Sequence, residues 1–367
     1  MADASSTSSP TIVIPVVAGI GNALMAEPAV RQLRAGLPRA RVVVLAMIAP
    51  MAAVFGGIAG VETIVTGRGM KNLLRGVRTT RGVKPDVYLI PFPSNRWQYN
   101  ALATASGARR VILHGYPVGR FSALGFLHND RVPADRGLHD VVQNLRLLEP
   151  LGLNPDYADV PRFTPTPAEA ATAEATLRDM GLCEGPFVAV HAGSAKTILA
   201  TAKRWPGQKY AQLVQAIARE TRQNVLIVEG PDEAGVTQDI VQHCENLDRI
   251  HTLKLVGPLG ESAAVLARSS FYVGTDSGLA HLTAAVGRRA VTLFAPADPD
   301  RVCPAGQRDL VVQPPDGRAA SFLYPYQATK PKLPPEELGR INTITVEQVM
   351  AKVQQAAGNA LAADGRR

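Results

Sequence analysis

The sequence has little of what marks disulfide-rich, zinc-binding or nucleic-acid-binding proteins. Its 367 residues include three cysteines, Cys183, Cys244 and Cys303, an odd and widely spaced set that predicts neither a disulfide framework nor a zinc site. Aromatic residues make up 5% of the chain and its basic residues are scattered, so the net charge of +8 does not predict a nucleic-acid partner. We expect a cytoplasmic protein whose partners are phosphorylated compounds or an anionic membrane surface.

Long apolar runs are also missing. No stretch approaches the roughly 18 apolar residues that a transmembrane helix needs. Residues 1–10 lack the basic start and the apolar segment of a secretory signal, and we interpret them as a flexible tail. With 46% hydrophobic and 19% charged residues the chain can build a large core, and its length predicts two domains.

The chain instead alternates short apolar strands with helical stretches. This alternation is typical of the α/β class, in which helices cover both faces of a parallel sheet. Four prolines in residues 154–167 predict an interdomain linker between a first domain at 11–153 and a second domain at 168–344. A closing helix and tail at 345–367 are expected to follow the second domain. Residues 115–135 lack a clear period and predict a lid or an acceptor loop. The predicted strands are 11–17, 41–46, 63–65, 87–91, 110–113, 187–191, 224–229, 250–254, 270–274 and 290–294.

One predicted strand–turn–helix–strand unit, residues 272–296, has polar residues at the carboxyl end of its first strand. The turn runs from Thr275 to Gly278, and the side-chain oxygens of its first three residues are expected to cap the helix that follows. Free backbone N–H groups at such a helix start attract anions, above all phosphates. Asp276 could instead be no more than a helix cap, but His281 five residues later favours a functional turn.

This stretch resembles glycosyltransferase family 9, the ADP-heptose:lipopolysaccharide heptosyltransferases. The family's motif D-[ST]-G-L-x-H-L is present here as the seven residues 276–282. Residues 203–206 match its K-R-W-P element, and residues 21–29 resemble its G-D-x5-P-A element, so the resemblance covers about residues 11–350. It implies the GT-B architecture, with two Rossmann-like parallel-sheet domains facing each other across a cleft.

The resemblance also implies a reaction. It predicts an inverting, metal-independent sugar transfer without a cofactor, from ADP-heptose to a lipopolysaccharide core or related glycan, with peripheral association at the cytoplasmic membrane face. The first domain would bind the acceptor and the second the nucleotide-sugar. Transfer to a protein or a secondary metabolite, and non-catalytic nucleotide-sugar binding, are open alternatives. A nicotinamide dehydrogenase is disfavoured, because Leu24 occupies the third glycine position of G-x-G-x-x-G.

On the donor side, the resemblance makes Lys203 the leading ligand of the diphosphate. Ser194 lies in the preceding loop, and Glu233 follows the next strand, where it would hold sugar hydroxyls or else only cap a helix. Taken alone, Lys203 and Arg204 could be solvated loop charges, whereas Trp205 is expected to anchor the loop in either case. The implied donor site comprises Ser194, Lys203, Arg204, Glu233, Asp276, Ser277, Gly278, Leu279 and His281.

On the acceptor side, Gly19, Gly21 and Asn22 form the loop where the family carries a catalytic aspartate. An amide has no basic lone pair at neutral pH, so Asn22 can orient an acceptor hydroxyl but cannot take its proton. His139 and His114, with an ordinary pKa near 6.5, are candidate replacement bases, and each could equally be a capping or packing residue. The predicted catalytic residues are Asn22, His139 and Lys203.

Overall fold

The computed structural model describes residues 9–67, 70–94, 97–116, 124–128, 130–193, 200–231, 233, 235–318 and 333–364. They form two compact units, the first ending at Asp159 and the second beginning at Val160. The division falls within the residues 154–167 that we predicted as a linker. No helix in the described part of the chain is both long and apolar enough to cross a bilayer.

The first unit is built on a six-stranded parallel sheet with the order β3-β2-β1-β4-β5-β6. This is the strand order of a doubly wound dinucleotide-type sheet, and it reverses between β1 and β4. Strand β2 is apolar and buried along almost its whole length, as a strand covered on both faces requires. In chain order the elements are β1 Thr11–Val16, α1 Ile20–Gly36, β2 Arg41–Ala46, α2 Ala49–Ala53, β3 Val61–Val65, α3 Met70–Val83, β4 Val87–Leu89, α4 Trp97–Ser106, β5 Arg110–Gly115, β6 Asp130–Pro133 and α5 Asp140–Arg146.

The second unit repeats this topology. Its six parallel strands have the order β12-β11-β10-β7-β8-β9, which reverses between β7 and β10. The prediction of an α/β protein with two Rossmann-like sheets is therefore confirmed. The elements are α6 Pro167–Asp179, β7 Phe187–His191, α7 Ala200–Lys203, α8 Gly207–Thr221, β8 Asn224–Glu229, α9 Val236–Val241, β9 Ile250–Lys254, α10 Leu259–Arg268, β10 Tyr272–Thr275, α11 Gly278–Ala285, β11 Ala290–Leu293, α12 Pro299–Val302, β12 Val311–Val312 and α13 Val346–Asp364.

The end of the first unit is tied to helix α1. Arg31 donates to Glu27 Oε1 and to Asp159 Oδ2, both at 2.7 Å, and Gln32 Nε2 donates to Asp159 Oδ2 at 2.9 Å. Glu27 is only 2% exposed, so part of this network is buried. These contacts hold the chain to the first unit up to Asp159, which explains why the division does not lie nearer the start of the predicted linker.

The prediction that residues 115–135 form a lid or an acceptor loop is wrong for the last part of this segment. Residues 130–133 form β6, which pairs in parallel with β5 through contacts such as His114 with Val132. The strand is short, polar and ends in Pro133, a composition that only an edge strand tolerates. Residues 117–123 and 129 of this segment lie outside the described residues.

Two predicted helix ends also differ. The amphipathic pattern of residues 139–151 predicts one helix, but α5 ends at Arg146 and residues 149–151 form a separate 3-10 turn, because Pro150 cannot continue an α-helix. The last helix, predicted to end at residue 357 before a frayed tail, continues to Asp364. The added segment contains Gly358 but is otherwise rich in alanine, which has the highest helix propensity.

Candidate active site

The strand order of the second unit reverses between β7 and β10, and polar residues lie at the carboxyl ends of these two strands. Open α/β sheets bind ligands at this position. The two strands approach closely: Thr275 Oγ1 donates to the carbonyl oxygen of Gly193 at 2.6 Å. A Cβ on Gly274 would lie 2.5 Å from the carbonyl oxygen of His191, so this position accepts only glycine. The strand ends are therefore held in a fixed geometry.

Lys203 and Asp276 form an ion pair at this point. Lys203 is the last residue of the short helix α7, and its Nζ donates to Asp276 Oδ2. The side chains are 17% and 9% exposed, so the pair is mostly withdrawn from water. Lys203 is thus not a solvated loop charge. An ammonium group has three N–H donors, and among the described residues Asp276 is the acceptor of one of them.

The start of helix α11 does not use the side-chain caps that the sequence predicts. Ser277 occupies the N-cap position but makes no capping hydrogen bond with its side chain. The prediction that Thr275, Asp276 and Ser277 cap the helix is wrong, because Thr275 bonds Gly193, Asp276 pairs with Lys203, and Ser277 faces His191. Within the described residues the first-turn amides have no partner, so they can bind an anion.

His191 connects three of the elements around this point. Its Nε2 lies 2.7 Å from Glu233 Oε2, and its Nδ1 lies 3.2 Å from both the Tyr272 hydroxyl and Ser277 Oγ. When His191 is neutral, Nε2 carries the proton and Nδ1 accepts a hydrogen from one of the two hydroxyls, and when His191 is protonated both ring nitrogens donate. His191 is 2% exposed, so it is a buried support beneath the helix start. Sequence reasoning missed this role, although a histidine that ends a strand beside the reversal point was a usable signal.

Glu233 lies beneath the loop that follows β7. Its Oε2 accepts from the amide of Gly230 at 2.8 Å as well as from His191. Burial alone would raise the pKa of Glu233, but the hydrogen bond and charge of His191 and the Gly230 amide outweigh it and lower the pKa. A Cβ on Gly193 would lie 2.1 Å from Glu233 Cδ, so the carboxylate packs directly against the chain. Within the described residues, Oε1 has no hydrogen-bond partner and is available to a ligand hydroxyl.

The residues next to Lys203 have different environments. Trp205 Nε1 donates to the carbonyl oxygen of Ile344 at 3.1 Å, and its ring packs edge-on against Tyr210 at 5.0 Å. The prediction that Trp205 anchors this segment to the core is confirmed. Arg204 is exposed. The predicted donor ligand Ser194 lies outside the described residues.

His281 is the fourth residue of α11 and is buried, with 6% exposure. Its amide bonds the carbonyl oxygen of Ser277 at 3.4 Å, which belongs to the first turn of the helix. It therefore lies in the same turn as Gly278 and Leu279, as the spacing predicts. A direct role in donor binding stays a prediction.

In the first unit, the predicted acceptor loop connects β1 to α1. Gly19 has a φ of +118°, a conformation that favours glycine, and its carbonyl oxygen accepts the first helical hydrogen bond. Asn22 Nδ2 donates to the carbonyl oxygen of Ala18 at 2.9 Å. This bond orients the amide and makes Oδ1 its hydrogen-bond acceptor. Gly21 lies in the first turn of α1.

The two candidate bases of the first unit have structural roles. His139 is the N-cap of α5, where its Nδ1 accepts from the amide of Val141 at 3.2 Å. His114 is 2% exposed and packs edge-on against Phe92 at 5.2 Å, and burial lowers its pKa to about 3. A base with that pKa is too weak to take a proton efficiently at neutral pH. The structure therefore contradicts His114 as the base, while His139 as a base stays a prediction.

One D-x-D triplet, Asp298-Pro299-Asp300, has the spacing of a metal-binding motif. Asp298 instead caps α12 through the amide of Asp300 at 3.0 Å, and the Asp300 carboxylate pairs with Arg308. Among the described residues no cluster of three or more His, Cys, Asp or Glu side chains is arranged to hold a metal ion.

The chain folds into two doubly wound units. In the second unit, Lys203 and the start of helix α11 lie where the strand order reverses. This arrangement is typical of α/β proteins that bind nucleotides. Residues 104–328 match the family described as Glycosyltransferase family 9 (heptosyltransferase). The chain belongs to this family.

Curated relatives match over part of their length. The chain is 26% identical over 238 residues to lipopolysaccharide heptosyltransferase 3 of Escherichia coli, covering 62% of this chain and 64% of the relative. It is 32% identical over 115 residues to lipopolysaccharide heptosyltransferase 2 of Salmonella typhimurium, covering 30% of this chain and 32% of the relative. The matched part is thus less than two thirds of either relative.

Solved structures match over almost the whole chain. A family 9 glycosyl transferase from Veillonella parvula superposes with a TM-score of 0.78 at 17% identity, covering 97% of this chain and all of that one. The E. coli ADP-heptose lps heptosyltransferase II gives 0.70 at 19% identity, with 95% and 99% coverage. The E. coli heptosyltransferase WaaC with ADP gives 0.64 at 18% identity, with 95% and 99% coverage. These structures establish the GT-B fold class.

Proposed function

We propose that the protein is an inverting, metal-independent glycosyltransferase that uses a nucleotide diphosphate sugar, with ADP-heptose as the donor. Membership of glycosyltransferase family 9 supports sugar transfer, and ADP is bound by the WaaC relative. The observation that carries the proposal is the position of Lys203. Its ammonium group is held by Asp276 next to the free amides of α11, at the reversal point of the second sheet.

The proposed chemistry is a single displacement at the anomeric carbon. The acceptor oxygen forms a bond to that carbon, the bond to the diphosphate oxygen breaks, and the diphosphate leaves with the bonding electrons. Lys203 and the amides of Gly278 and Leu279 would stabilise the negative charge that develops on the leaving group. Because these groups are fixed before the donor binds, little reorganisation would be needed during the reaction.

The remaining donor residues would position the nucleotide-sugar. Glu233 Oε1 would accept from sugar hydroxyls, while its Oε2 stays bonded to His191. Asp276 would keep the ammonium group of Lys203 in place, and His281 and Ser277 would shape the wall of the site. Arg204, exposed beside Lys203, would add positive charge that attracts the donor.

Two acceptor classes remain for the first unit. The names of the curated relatives favour a lipopolysaccharide core or related glycan, which would bring the protein to the cytoplasmic face of the inner membrane. A pocket in the first unit, whose described lining residues carry no charge, favours a secondary metabolite instead. In both cases Asn22 would orient the acceptor hydroxyl, and for an alcohol acceptor His139 is the candidate base.

The test is a donor assay that does not depend on the acceptor. Purified protein is titrated calorimetrically with ADP and ADP-heptose, and hydrolysis or transfer is followed by release of ADP. The proposal predicts saturable binding of both compounds without added metal. Absence of binding for either nucleotide would contradict it.

A further inference from the structure

The first unit contains a pocket of 280 Å³ at the carboxyl ends of its first three strands. Val17, Met47 and Thr66, which follow β1, β2 and β3, form one wall, and side chains of α3 and α4 form the other. Within the part of the chain that the structure describes, none of the residues that line this pocket is acidic, basic or a histidine. Val17 is also two residues before Gly19, so the pocket borders the loop that carries Asn22.

Tyr88 supplies a polar atom to this pocket. Tyr88 belongs to β4 and lines the pocket, and only 2% of the residue is exposed. Its hydroxyl has no hydrogen-bond partner within the part of the chain that the structure describes. Burial raises the pKa of Tyr88, so the hydroxyl stays protonated and can donate to a ligand.

Gly76 keeps the pocket open. It lies in the middle of α3, where glycine costs about 1 kcal/mol relative to alanine. The nearest atom to a Cβ built at Gly76 is Thr66 Cγ2 at 3.9 Å, so a larger side chain at this position would extend into empty space. The hydroxyl protons of Thr66 and Thr80 are already bonded to the carbonyl oxygens of Ala46 and Gly76.

The neighbouring loop lacks a basic group. Residues 15–26 contain no ionisable side chain. Asn22 can accept a hydrogen bond from the acceptor but cannot take its proton. A phenolic hydroxyl has a pKa of about 10, whereas an alcohol resembles water at about 16. A phenol therefore gives up its proton far more readily and needs little help from the protein.

We propose that this pocket binds the uncharged ring system of a phenolic acceptor, whose hydroxyl group then receives the sugar. The inference rests on the proposed glycosyl transfer and selects its acceptor class. An apolar cavity of about 150 Å³ accommodates one benzene ring, so the pocket fits a group of about two fused rings. Tyr88 would donate a hydrogen bond to a polar atom on the ring. The phenol proton would pass to water as the new bond forms.

The first test measures binding alone, with 2-naphthol as the probe. Its fluorescence is titrated with the full-length protein in the absence of a donor. Saturable binding is expected for wild type, with a loss of at least tenfold in Gly76→Phe and several-fold in Tyr88→Phe. Gly82→Phe is the matched control, because Gly82 lies in the same helix, is exposed and has no atom within 4 Å of its Cβ position.

Tyr88→Phe keeps the ring and so keeps the test valid if Gly76→Phe does not fold. Unchanged affinity in Tyr88→Phe together with unchanged affinity in folded Gly76→Phe would overturn the pocket assignment. So would absence of naphthol binding in wild type.

The second test measures transfer from ADP-heptose to 2-naphthol and to decahydro-2-naphthol, its saturated alcohol. Transfer to the phenol is expected to be at least a hundredfold faster, and Gly76→Phe should abolish it while ADP binding is unchanged. Equal rates for the two compounds, or transfer only to anionic sugar acceptors, would overturn the inference and leave the donor proposal intact. Failure of ADP-heptose to bind would instead refute the donor proposal itself.

Discussion

Lys203 and Asp276 are joined by an ion pair although 73 residues separate them in the sequence. Taking two charges out of water is costly, so a buried pair is weak evidence for stability. A cation held at a helix start beside unpaired amides is better explained by the anion it would bind. The pair therefore links the fold of the second unit to its proposed chemistry.

The first prediction concerns the stability of this pair. Lys203→Ala leaves the mostly buried Asp276 carboxylate without its partner and should lower the free energy of unfolding by about 3 kcal/mol. Asp276→Asn removes the charge, so the double variant should recover most of that loss. Urea unfolding of the ligand-free protein measures both effects. Arg219→Ala is the control, since Arg219 is 74% exposed. Equal loss in the single and double variants would contradict the prediction.

The second prediction concerns Glu233 and acid. Its pKa is lowered in the folded state, so its contribution to stability is present above the unfolded value of about 4.3 and is lost as pH falls through the folded value. The difference in unfolding free energy between wild type and Glu233→Gln should therefore be constant from pH 7 to about 5 and shrink below about 4. Urea unfolding at each pH measures it, with exposed Glu184→Gln as the control. A difference that grows on acidification would refute the assignment.

The third prediction concerns the close contact of β7 and β10. A methyl group at Gly274 would lie 2.5 Å from the carbonyl oxygen of His191 and from the Tyr272 hydroxyl. Gly274→Ala should destabilise the protein by about 1–3 kcal/mol, as overpacked cores are, and weaken ADP binding. Gly185→Ala, with no atom within 4 Å of the new methyl group, should do neither. Thermal unfolding measures the stability of each variant, and calorimetric titration measures its affinity for ADP. Normal ADP affinity in Gly274→Ala would contradict the proposed geometry of the site.

The fourth prediction concerns the missing base. Asn22→Asp introduces a carboxylate at the acceptor loop, so transfer to an alcohol acceptor should rise by roughly 10²–10⁴, the usual contribution of general base catalysis. Transfer to a phenol should change much less. Rates are measured against pH for wild type, Asn22→Asp and His139→Ala. A wild-type rate with an ionisation near pH 6.5 that disappears in His139→Ala would instead make His139 the base.

The sequence predicts those features that depend on local pattern. Strands β2, β7, β8 and β9 have the predicted bounds, because each is a short run suited to a parallel sheet and followed by turn residues. Strand β6 was missed, since an edge strand needs no apolar alternation. The last helix continues to Asp364, past the predicted end at residue 357, although Gly358 has a low helix propensity.

The candidate site likewise has features that local sequence pattern predicts and features that it does not predict. The motif residues predicted the turn at Asp276 and the lysine at 203, and the fold brings these two together. Local capping rules failed at Thr275 and Ser277, because both side chains bond residues more than 80 positions away. The support of Glu233 by His191 is likewise invisible to local pattern, since it depends on two strands becoming neighbours.

The central claim is that Lys203 binds the donor diphosphate, and calorimetric titration of wild type and Lys203→Ala with ADP tests it most directly. The double variant Lys203→Ala/Asp276→Asn is titrated in parallel, so that a loss of affinity cannot be attributed to instability. We predict that the dissociation constant for ADP rises at least tenfold in both variants, consistent with the loss of about 2–5 kcal/mol when one member of a charge pair is removed. An unchanged dissociation constant in the double variant would contradict it.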